Sequence, residues 1–191
     1  APPLPLRWHG LSLSKQGNAE SDYEDASAGN PANGRFAIAD GASEASFAAL
    51  WARLLVDRFV SDPGKPWVGL ACLEPLRKKW ANEVDGLTLP WYREEKRELG
   101  AFATFLGLVF RPKSAGYPSY WRAVAVGDCC LFHTRAGKLV RAFPIQRSDG
   151  FDNRPVLLRS REGNSAKTQL AKAHGDWQSQ DRFLLMTDAL A

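Results

Sequence analysis

Cysteine is scarce in this chain of 191 residues, and long hydrophobic runs are missing from it. The cysteines are Cys72, Cys129 and Cys130, an odd number with two adjacent, so no disulfide framework suggests itself and a reducing compartment fits best. No apolar run reaches the length of a membrane-spanning helix, and the first residues lack the apolar core of a secretory signal. We therefore expect a soluble, cytoplasmic protein with no membrane association.

Strong charge of either sign is also missing. The net charge is +4, and the only tight basic run covers residues 77–79. Such a run is typical of a solvated helix face, so a nucleic-acid-binding module has only this modest charge in its favour, and we expect no nucleic-acid partner. The three histidines, His9, His133 and His174, lack the spacing of metal ligands.

The hydrophobic content is sufficient for a sizeable core. Hydrophobic residues make up 45% of the chain, which includes seven tryptophans, and residues 1–191 are predicted to form one domain. Apolar residues with helical spacing predict a helix from Phe47 to Phe59. A second helical region is predicted from Trp67 to Val84, where Pro75 indicates either a kink or two shorter helices. A further helical turn or two is predicted from Trp91 to Glu98.

Strand patterns dominate after Gly100. The predicted strands are Phe102–Arg111, Tyr120–Val126, Cys129–Thr134 and Lys138–Phe143. Short turn signals separate them, which favours an antiparallel meander. The later predictions are a short strand at 155–158, a helix at 165–173 and a final buried strand at 182–187. Helices segregated from antiparallel strands indicate an α+β layered sandwich.

Four short fragments carry acidic residues in a fixed order along the chain. They are Tyr23-Glu24-Asp25-Ala26, the strand Phe36–Ala39 with the turn Asp40-Gly41, Val124–Asp128, and Phe183–Ala189. A carboxylate at the mouth of a buried strand, followed by a glycine with an approachable carbonyl, can bind a hard cation. An isolated Asp-Gly pair most often marks a simple turn, so the order of the fragments matters more than any one of them.

Together with the Gly-Ala-Phe-Ala-Thr run from Gly100, this series resembles the metal-dependent PP2C (PPM) family of protein serine/threonine phosphatases, of bacterial type. The resemblance covers nearly the whole chain. It implies a four-layer αββα sandwich with two mainly antiparallel sheets. It also implies an enzyme that hydrolyses phosphoserine or phosphothreonine in proteins with a water that bridges two divalent cations.

The resemblance further implies the roles of the acidic residues. Asp40 would bridge the two ions with the Gly41 carbonyl as an additional ligand, and Asp188 would bind the second ion. Glu24 and Asp25 would act through metal-bound waters, and which of them serves the metals stays open. Oxygen donors of this kind favour Mg²⁺ or Mn²⁺ over zinc. The implied partner is a phosphorylated protein substrate, with a cognate Ser/Thr kinase as a further candidate.

Each of these residues also has a simpler interpretation. Glu24 and Asp25 could be exposed charges on an edge strand, and Asp188 could begin a loop. Asp128 after a glycine is a hairpin corner on structural grounds, whereas the matching residue of the family can hold a third, weaker ion. The pair Cys129-Cys130 has no recognisable activating base, which favours buried structural cysteines.

The sequence departs from the family pattern in three places. Residues 42–44 read Ala-Ser-Glu, where many members have His or Gly-Gly. No phosphate-binding arginine precedes the Glu-Asp pair, and Lys15 or Arg35 are the candidate substitutes. The chain ends shortly after Asp188, so we expect that the domain lacks a C-terminal segment with a late acidic ligand. These departures keep a second hypothesis open, a catalytically impaired pseudophosphatase that acts as a partner-binding module.

Overall fold

The computed structural model describes residues 6–12, 24–42, 47–61, 70–114, 118–147, 150, 155–162 and 170–187. Its helices are α1 (Ala48–Ser61), α2 (Glu74–Val84) and α3 (Trp91–Leu99), with a 3₁₀ turn at Leu70–Leu73 before α2. Its strands are β1 (Ala26–Asn30), β2 (Arg35–Ala39), β3 (Phe102–Ala103), β4 (Phe105–Arg111), β5 (Tyr120–Val126), β6 (Cys130–Arg135), β7 (Lys138–Phe143), β8 (Leu158–Arg159), β9 (Ala171–Asp176) and β10 (Arg182–Met186). None of the described helices is long and apolar enough to cross a membrane.

The strands form two main antiparallel sheets. The larger sheet has five strands in the order β1-β2-β4-β5-β9, and the smaller has three in the order β10-β6-β7. A two-stranded ribbon, β3-β8, lies outside both. The predicted α+β fold with two mainly antiparallel sheets is thereby confirmed.

Strand β2 is buried on both of its faces and separates two hydrophobic cores. Phe36 and Ile38 contribute to the core between the sheets, whereas Ala37 and Ala39 contribute to the core under α1. This division follows from the alternation of side chains along a strand. The layers are therefore helices, the five-stranded sheet and the three-stranded sheet, and within the described ranges no helix packs on the three-stranded sheet.

The predicted helix after residue 46 is confirmed as α1, which packs its buried face on β1 and β2. A Cβ atom on Gly107 of β4 would lie 2.5 Å from the Phe59 ring, so this glycine lets the helix approach the sheet. Pro75 lies in the first turn of α2 and does not kink it, because a backbone N–H is not needed there.

The predicted meander is wrong at Gly127-Asp128. Strand β5 pairs with β4 and β9, while β6 pairs with β7 and β10, so this turn carries the chain from one sheet to the other and is not a hairpin corner. A short turn signal in the sequence does not show whether the strand after it pairs with the strand before it or enters another sheet. Only the structure distinguishes the two.

Two predictions near the C-terminal part of the chain also need correction. Residues 171–173 begin strand β9 and are not helical, because pairing with β5 outweighs the local helix preference of Ala and Lys. Residues 165–169 lie outside the described ranges. Strand β10 is an edge strand with half-exposed residues, not a fully buried one.

A polar cluster joins the two sheets at one end of the sandwich. The side chain of Asp181, which is 1% exposed, accepts hydrogen bonds from Arg135 Nε (2.8 Å) and His133 Nε2 (3.0 Å). Arg135 also pairs with Asp176 of β9 at 3.2 Å. Since β6 and β9 belong to different sheets, Arg135 holds both sheets and the β9–β10 connection together. The hydrogen bonds from Arg135, followed by those from Gln178 and His133, lower the pKa of Asp181 from 3.8 to about 2.

This cluster predicts a specific loss of stability in acid. A carboxyl group whose pKa is lower in the folded state stabilises the protein above its unfolded value of 3.8, and this stabilisation is lost as pH falls from about 4 towards 2. We expect wild type to exceed Asp181→Asn in unfolding free energy by on the order of 1 kcal/mol at pH 6, with the difference shrinking below pH 4. Urea unfolding at several pH values measures both. Glu95→Gln, on the exposed surface of α3, should follow the wild-type profile, and a pH-independent difference for Asp181→Asn would contradict the assignment.

Candidate metal centre

Asp40 follows β2 directly, and its backbone is held by Thr104 on the adjacent segment. The Thr104 N–H donates to the Asp40 carbonyl at 2.9 Å, and the Asp40 N–H donates to Thr104 Oγ1 at 3.3 Å. The next residue, Gly41, forms a bridge with Ala103, and the Ala42 N–H donates to the Phe102 carbonyl at 2.9 Å. The acidic turn predicted at the end of β2 is therefore fixed on the side of the β3–β4 junction.

Gly41 lies where a side chain would not fit. A Cβ atom there would be 2.9 Å from the Glu24 carbonyl oxygen and 3.0 Å from the Ala48 carbonyl carbon at the start of α1. Because β1 and β2 pair with Ala26 opposite Ala39, Glu24 and Asp25 approach the Asp40-Gly41 turn at the same end of the sheet. Two of the predicted site fragments therefore converge on one place.

The end of β10 approaches the same place. The Thr187 hydroxyl donates to Asp25 Oδ2 at 3.2 Å, although the two residues are far apart in sequence. Asp188, the predicted ligand of the second ion, lies outside the described residues. Its role stays a prediction, while the residue before it is in contact with Asp25.

Asp128 lies on the crossing between the two sheets and is buried. Cys129 Sγ is in hydrogen-bond contact with Thr104 Oγ1 at 2.9 Å, and Cys130 Sγ donates to the Asp128 carbonyl at 3.3 Å. A Cβ atom on Gly127, which has a φ of 89°, would be 2.6 Å from the Thr104 methyl group. Thr104 therefore contacts both the Asp40 turn and the crossing that carries Asp128.

The buried Cys129 thiol is under the electrostatic influence of the acidic residues around it. Burial raises the pKa of this thiol well above its ordinary value, and the negative charges of Asp40, Asp128 and Asp25 raise it further, against the opposing hydrogen bond from Thr104. Three of the predicted acidic residues thus lie within electrostatic reach of one buried atom. A thiol with a raised pKa is a poor nucleophile, in agreement with the prediction that Cys129 is structural.

The donor chemistry of this end of the sandwich suits a hard divalent cation. Carboxylates and a glycine carbonyl are the oxygen donors that Mg²⁺ and Mn²⁺ prefer. Within the described residues, no three His, Cys, Asp or Glu side chains are close enough together to hold an ion by themselves. The fold brings four acidic residues to one region, Glu24, Asp25, Asp40 and Asp128.

The suggestion that Arg35 replaces a phosphate-binding arginine is wrong. Its side chain is buried, donates from Nε to the Phe59 carbonyl at 2.6 Å and lies over the Phe59 ring at 4.4 Å. Arg35 opens β2 opposite Asn30, whereas Asp40 follows the other end of the strand, roughly 16 Å away. Lys15, the other candidate, lies outside the described residues.

Sequence reasoning missed Thr104, which is 3% exposed and connects the candidate site residues. The signal was present, because Thr104 is the one hydroxyl in the apolar run Gly100–Phe110. A buried hydroxyl needs a partner, so a lone threonine in such a run marks a specific polar contact.

Comparison with known proteins gives similarity at the level of structure. No family model and no curated protein matches the sequence. The chain is similar to the photosystem II phosphatase PBCP, with 19% identity and a TM-score of 0.56 over 87% of this chain. It is also similar to the catalytic domain of the serine/threonine protein phosphatase PstP in complex with two manganese ions, with 18% identity and a TM-score of 0.58 over 94% of this chain. A third similar structure is PppA, a regulatory component of T6SS in Pseudomonas aeruginosa, with 21% identity and a TM-score of 0.53 over 88% of this chain.

These similarities define the class of fold. The chain has the fold of the PP2C-type serine/threonine phosphatases, as its resemblance to that family predicted. The chain spans 59% of the length of PBCP, 76% of PstP and 71% of PppA. At these identities the similarity establishes the fold only. Activity has to be argued from the residues of this chain.

The contacts of Thr104 predict a measurable role in stability. Thr104→Val keeps the shape of the side chain but removes the hydroxyl that contacts the Asp40 N–H and Cys129 Sγ, so we expect the unfolding free energy to fall by about 1 kcal/mol. Thr104→Ser keeps the hydroxyl and should restore the hydrogen bonds at the smaller cost of one methyl group. Urea unfolding compares the two variants with wild type. A valine variant at least as stable as the serine variant would show that the hydroxyl contributes nothing.

Proposed function

We propose that this chain is a metal-dependent phosphoprotein phosphatase that hydrolyses phosphoserine or phosphothreonine. The observation that carries the proposal is the gathering of Asp25, Asp40 and Asp128 around the Thr104–Cys129 contact, at one end of a PP2C-type sandwich. Three negative charges near a buried contact repel one another unless cations balance them. Two divalent ions, Mg²⁺ or Mn²⁺, would provide that balance.

In this proposal Asp40 would be a ligand of both ions, and the Gly41 carbonyl and Asp188 would be further ligands. The backbone hydrogen bonds to Thr104 hold Asp40 in place before any ion arrives, which lowers the cost of organising the site. The tight contact of Gly41 with Glu24 and the start of α1 supports a glycine ligand that acts through its backbone.

The remaining acidic residues would act more weakly. Glu24 and Asp25 would hold metal-bound waters, and Asp128 would contribute to a third ion. The Thr187 hydroxyl, which donates to Asp25 Oδ2, supports an orienting role for the end of β10 beside these waters.

Hydrolysis of a phosphate monoester needs a strong nucleophile at neutral pH and neutralisation of the phosphoryl charge. When bound, a pair of divalent ions acidifies a water and clamps the phosphoryl oxygens. The carboxylates would hold this centre and orient the attacking water. Cys129, whose pKa is raised, would take no covalent part.

The proposed substrate is a phosphorylated protein, and the proposed setting is signalling in the cytoplasm opposite a Ser/Thr kinase. The description of PppA as a regulatory component and of PstP as a serine/threonine protein phosphatase supports a regulatory role of this kind. The low identities leave the particular phosphoprotein to be found by experiment.

The proposal predicts that hydrolysis requires metal. A phosphothreonine peptide and p-nitrophenyl phosphate should both be hydrolysed with added Mn²⁺ or Mg²⁺, and EDTA should abolish turnover because the carboxylates alone cannot activate water. Phosphate release measured with and without EDTA, and after return of excess Mn²⁺, checks this. Undiminished turnover in EDTA would rule out the metal-dependent reaction.

Asp40→Asn tests the central ligand, since it keeps the shape and removes the charge that would hold both ions. We expect turnover to fall by about 10³-fold or more and Mn²⁺ affinity to fall with it. The melting temperature of the metal-free protein should stay unchanged or rise slightly, because repulsion among the carboxylates is relieved. Calorimetric titration with Mn²⁺ and thermal unfolding supply these readouts.

Asp57→Asn is the matched control, because Asp57 is exposed on α1. It should retain wild-type turnover and metal binding. Wild-type Mn²⁺ affinity in Asp40→Asn would refute the bridging role.

The second candidate function is a pseudophosphatase that binds a partner without catalysis. The observation that favours it is the commitment of Arg35 to Phe59, which removes one candidate for phosphate binding. Wild-type protein that binds Mn²⁺ or a phosphothreonine peptide without releasing phosphate would support this second candidate over the first.

A further inference from the structure

A groove of about 830 Å³ lies on the outer face of β5 and β9. It is on the side of the five-stranded sheet where α1 packs, but the main strand contacts of α1 are with β1, β2, β3 and β4, and none of the described helices makes more than slight contact with β5 or β9. This surface is separate from the candidate metal centre, which lies beyond the end of β5 at Asp128.

The pairing of β5 with β9 arranges the side chains of the groove in three rows. Tyr120 lies opposite Asp176, Arg122 opposite His174, and Val124 opposite Lys172. The alternate residues, including Trp121 and Ala173, belong to the core between the sheets. The six side chains of the three rows therefore share the outer face.

The groove is positively charged at one end. Arg122 and Lys172 are exposed, and within the described residues neither takes part in an ion pair. The Arg122 guanidinium lies 5.0 Å from the centre of the Tyr120 ring, which holds it over the face of the sheet. At the other end, Asp176 is neutralised by Arg135 at 3.2 Å.

The spacing of the two cations matches an extended chain. Arg122 and Lys172 are diagonal neighbours on adjacent strands, which places them about 7–8 Å apart. In an extended peptide, side chains at positions i and i+2 point the same way and are separated by roughly 6.6 Å. Two carboxylates at such positions can each meet one of the cations, while Val124 and the Tyr120 ring offer apolar contact beside them.

We propose that this groove binds an extended acidic segment of a partner protein, with carboxylates at alternate positions that pair with Arg122 and Lys172. The Asp176–Arg135 ion pair offers no unpaired cation at the other end of the groove, so the acidic residues of the segment lie at Arg122 and Lys172. A nucleic acid is the less favoured occupant, since binding through phosphates usually draws on several cations and this groove has two permanent ones. The proposal does not depend on phosphatase activity.

The direct test uses two labelled peptides of the same composition. In one, glutamates alternate with serine and valine, and in the other the glutamates are consecutive. Fluorescence anisotropy should show that the wild-type chain binds the alternating peptide at least about five times more tightly. A single-stranded oligothymidylate of similar length tests the nucleic-acid alternative.

Charge reversal then locates the binding surface. Arg122→Glu combined with Lys172→Glu should weaken binding of the alternating peptide by about tenfold or more, whereas Lys78→Glu combined with Lys79→Glu, on the exposed face of α2, should leave it within about twofold. A peptide with lysines at the alternating positions should bind the groove variant more tightly than it binds wild type. Circular dichroism and thermal unfolding confirm that both double variants are folded.

Three results would overturn the proposal. The first is no binding of the alternating peptide by wild type below about 1 mM, an affinity too weak for a specific site. The second is equal weakening by the two charge reversals, which would indicate general attraction to a basic protein. The third is tighter binding of the oligothymidylate that displaces the peptide, which would make the groove a nucleic-acid surface.

Discussion

The arrangement of the candidate site depends on the contact between Thr104 and Asp40. Two hydrogen bonds join their backbones and the threonine hydroxyl, and the same hydroxyl touches Cys129 on the chain that enters the second sheet. One small buried side chain therefore relates an acidic turn on the first sheet to the crossing that carries Asp128. Cations can bind at such a place only if the backbone holds like charges near one another, and hydrogen bonds of this kind supply that restraint.

The sequence allowed the fold class to be predicted because its strongest patterns are local. The apolar face of α1 and the bounds of β5 and β7 follow from periodicity and turn residues, and these predictions agree with the structure. Pairing between strands is a different matter. The crossing at Gly127-Asp128 and the strand β9 depend on contacts between distant segments, and no local pattern distinguishes them from a hairpin and a helix.

The same distinction applies to the site. The acidic residues Asp40 and Asp128 could be picked out as candidates from the sequence because each follows an apolar strand, in an order that resembles a known family. The contacts that relate them were not recognisable, since Thr104 reaches them only through folding. Arg35 was a wrong suggestion for the opposite reason. It is close to the Asp40 turn in sequence, but it lies at the far end of β2, where its side chain donates to the Phe59 carbonyl.

The two ends of the sandwich differ in the sign of their internal electrostatics. At one end Arg135, Asp181 and Asp176 attract one another across the sheets, and at the other Asp25, Asp40 and Asp128 carry charge of one sign. The ion pairs at the first end do not involve the acidic residues at the second, so they join the two sheets whatever the cation content of the solution. Substitutions among the acidic residues can therefore change cation binding while the ion pairs that join the two sheets are kept.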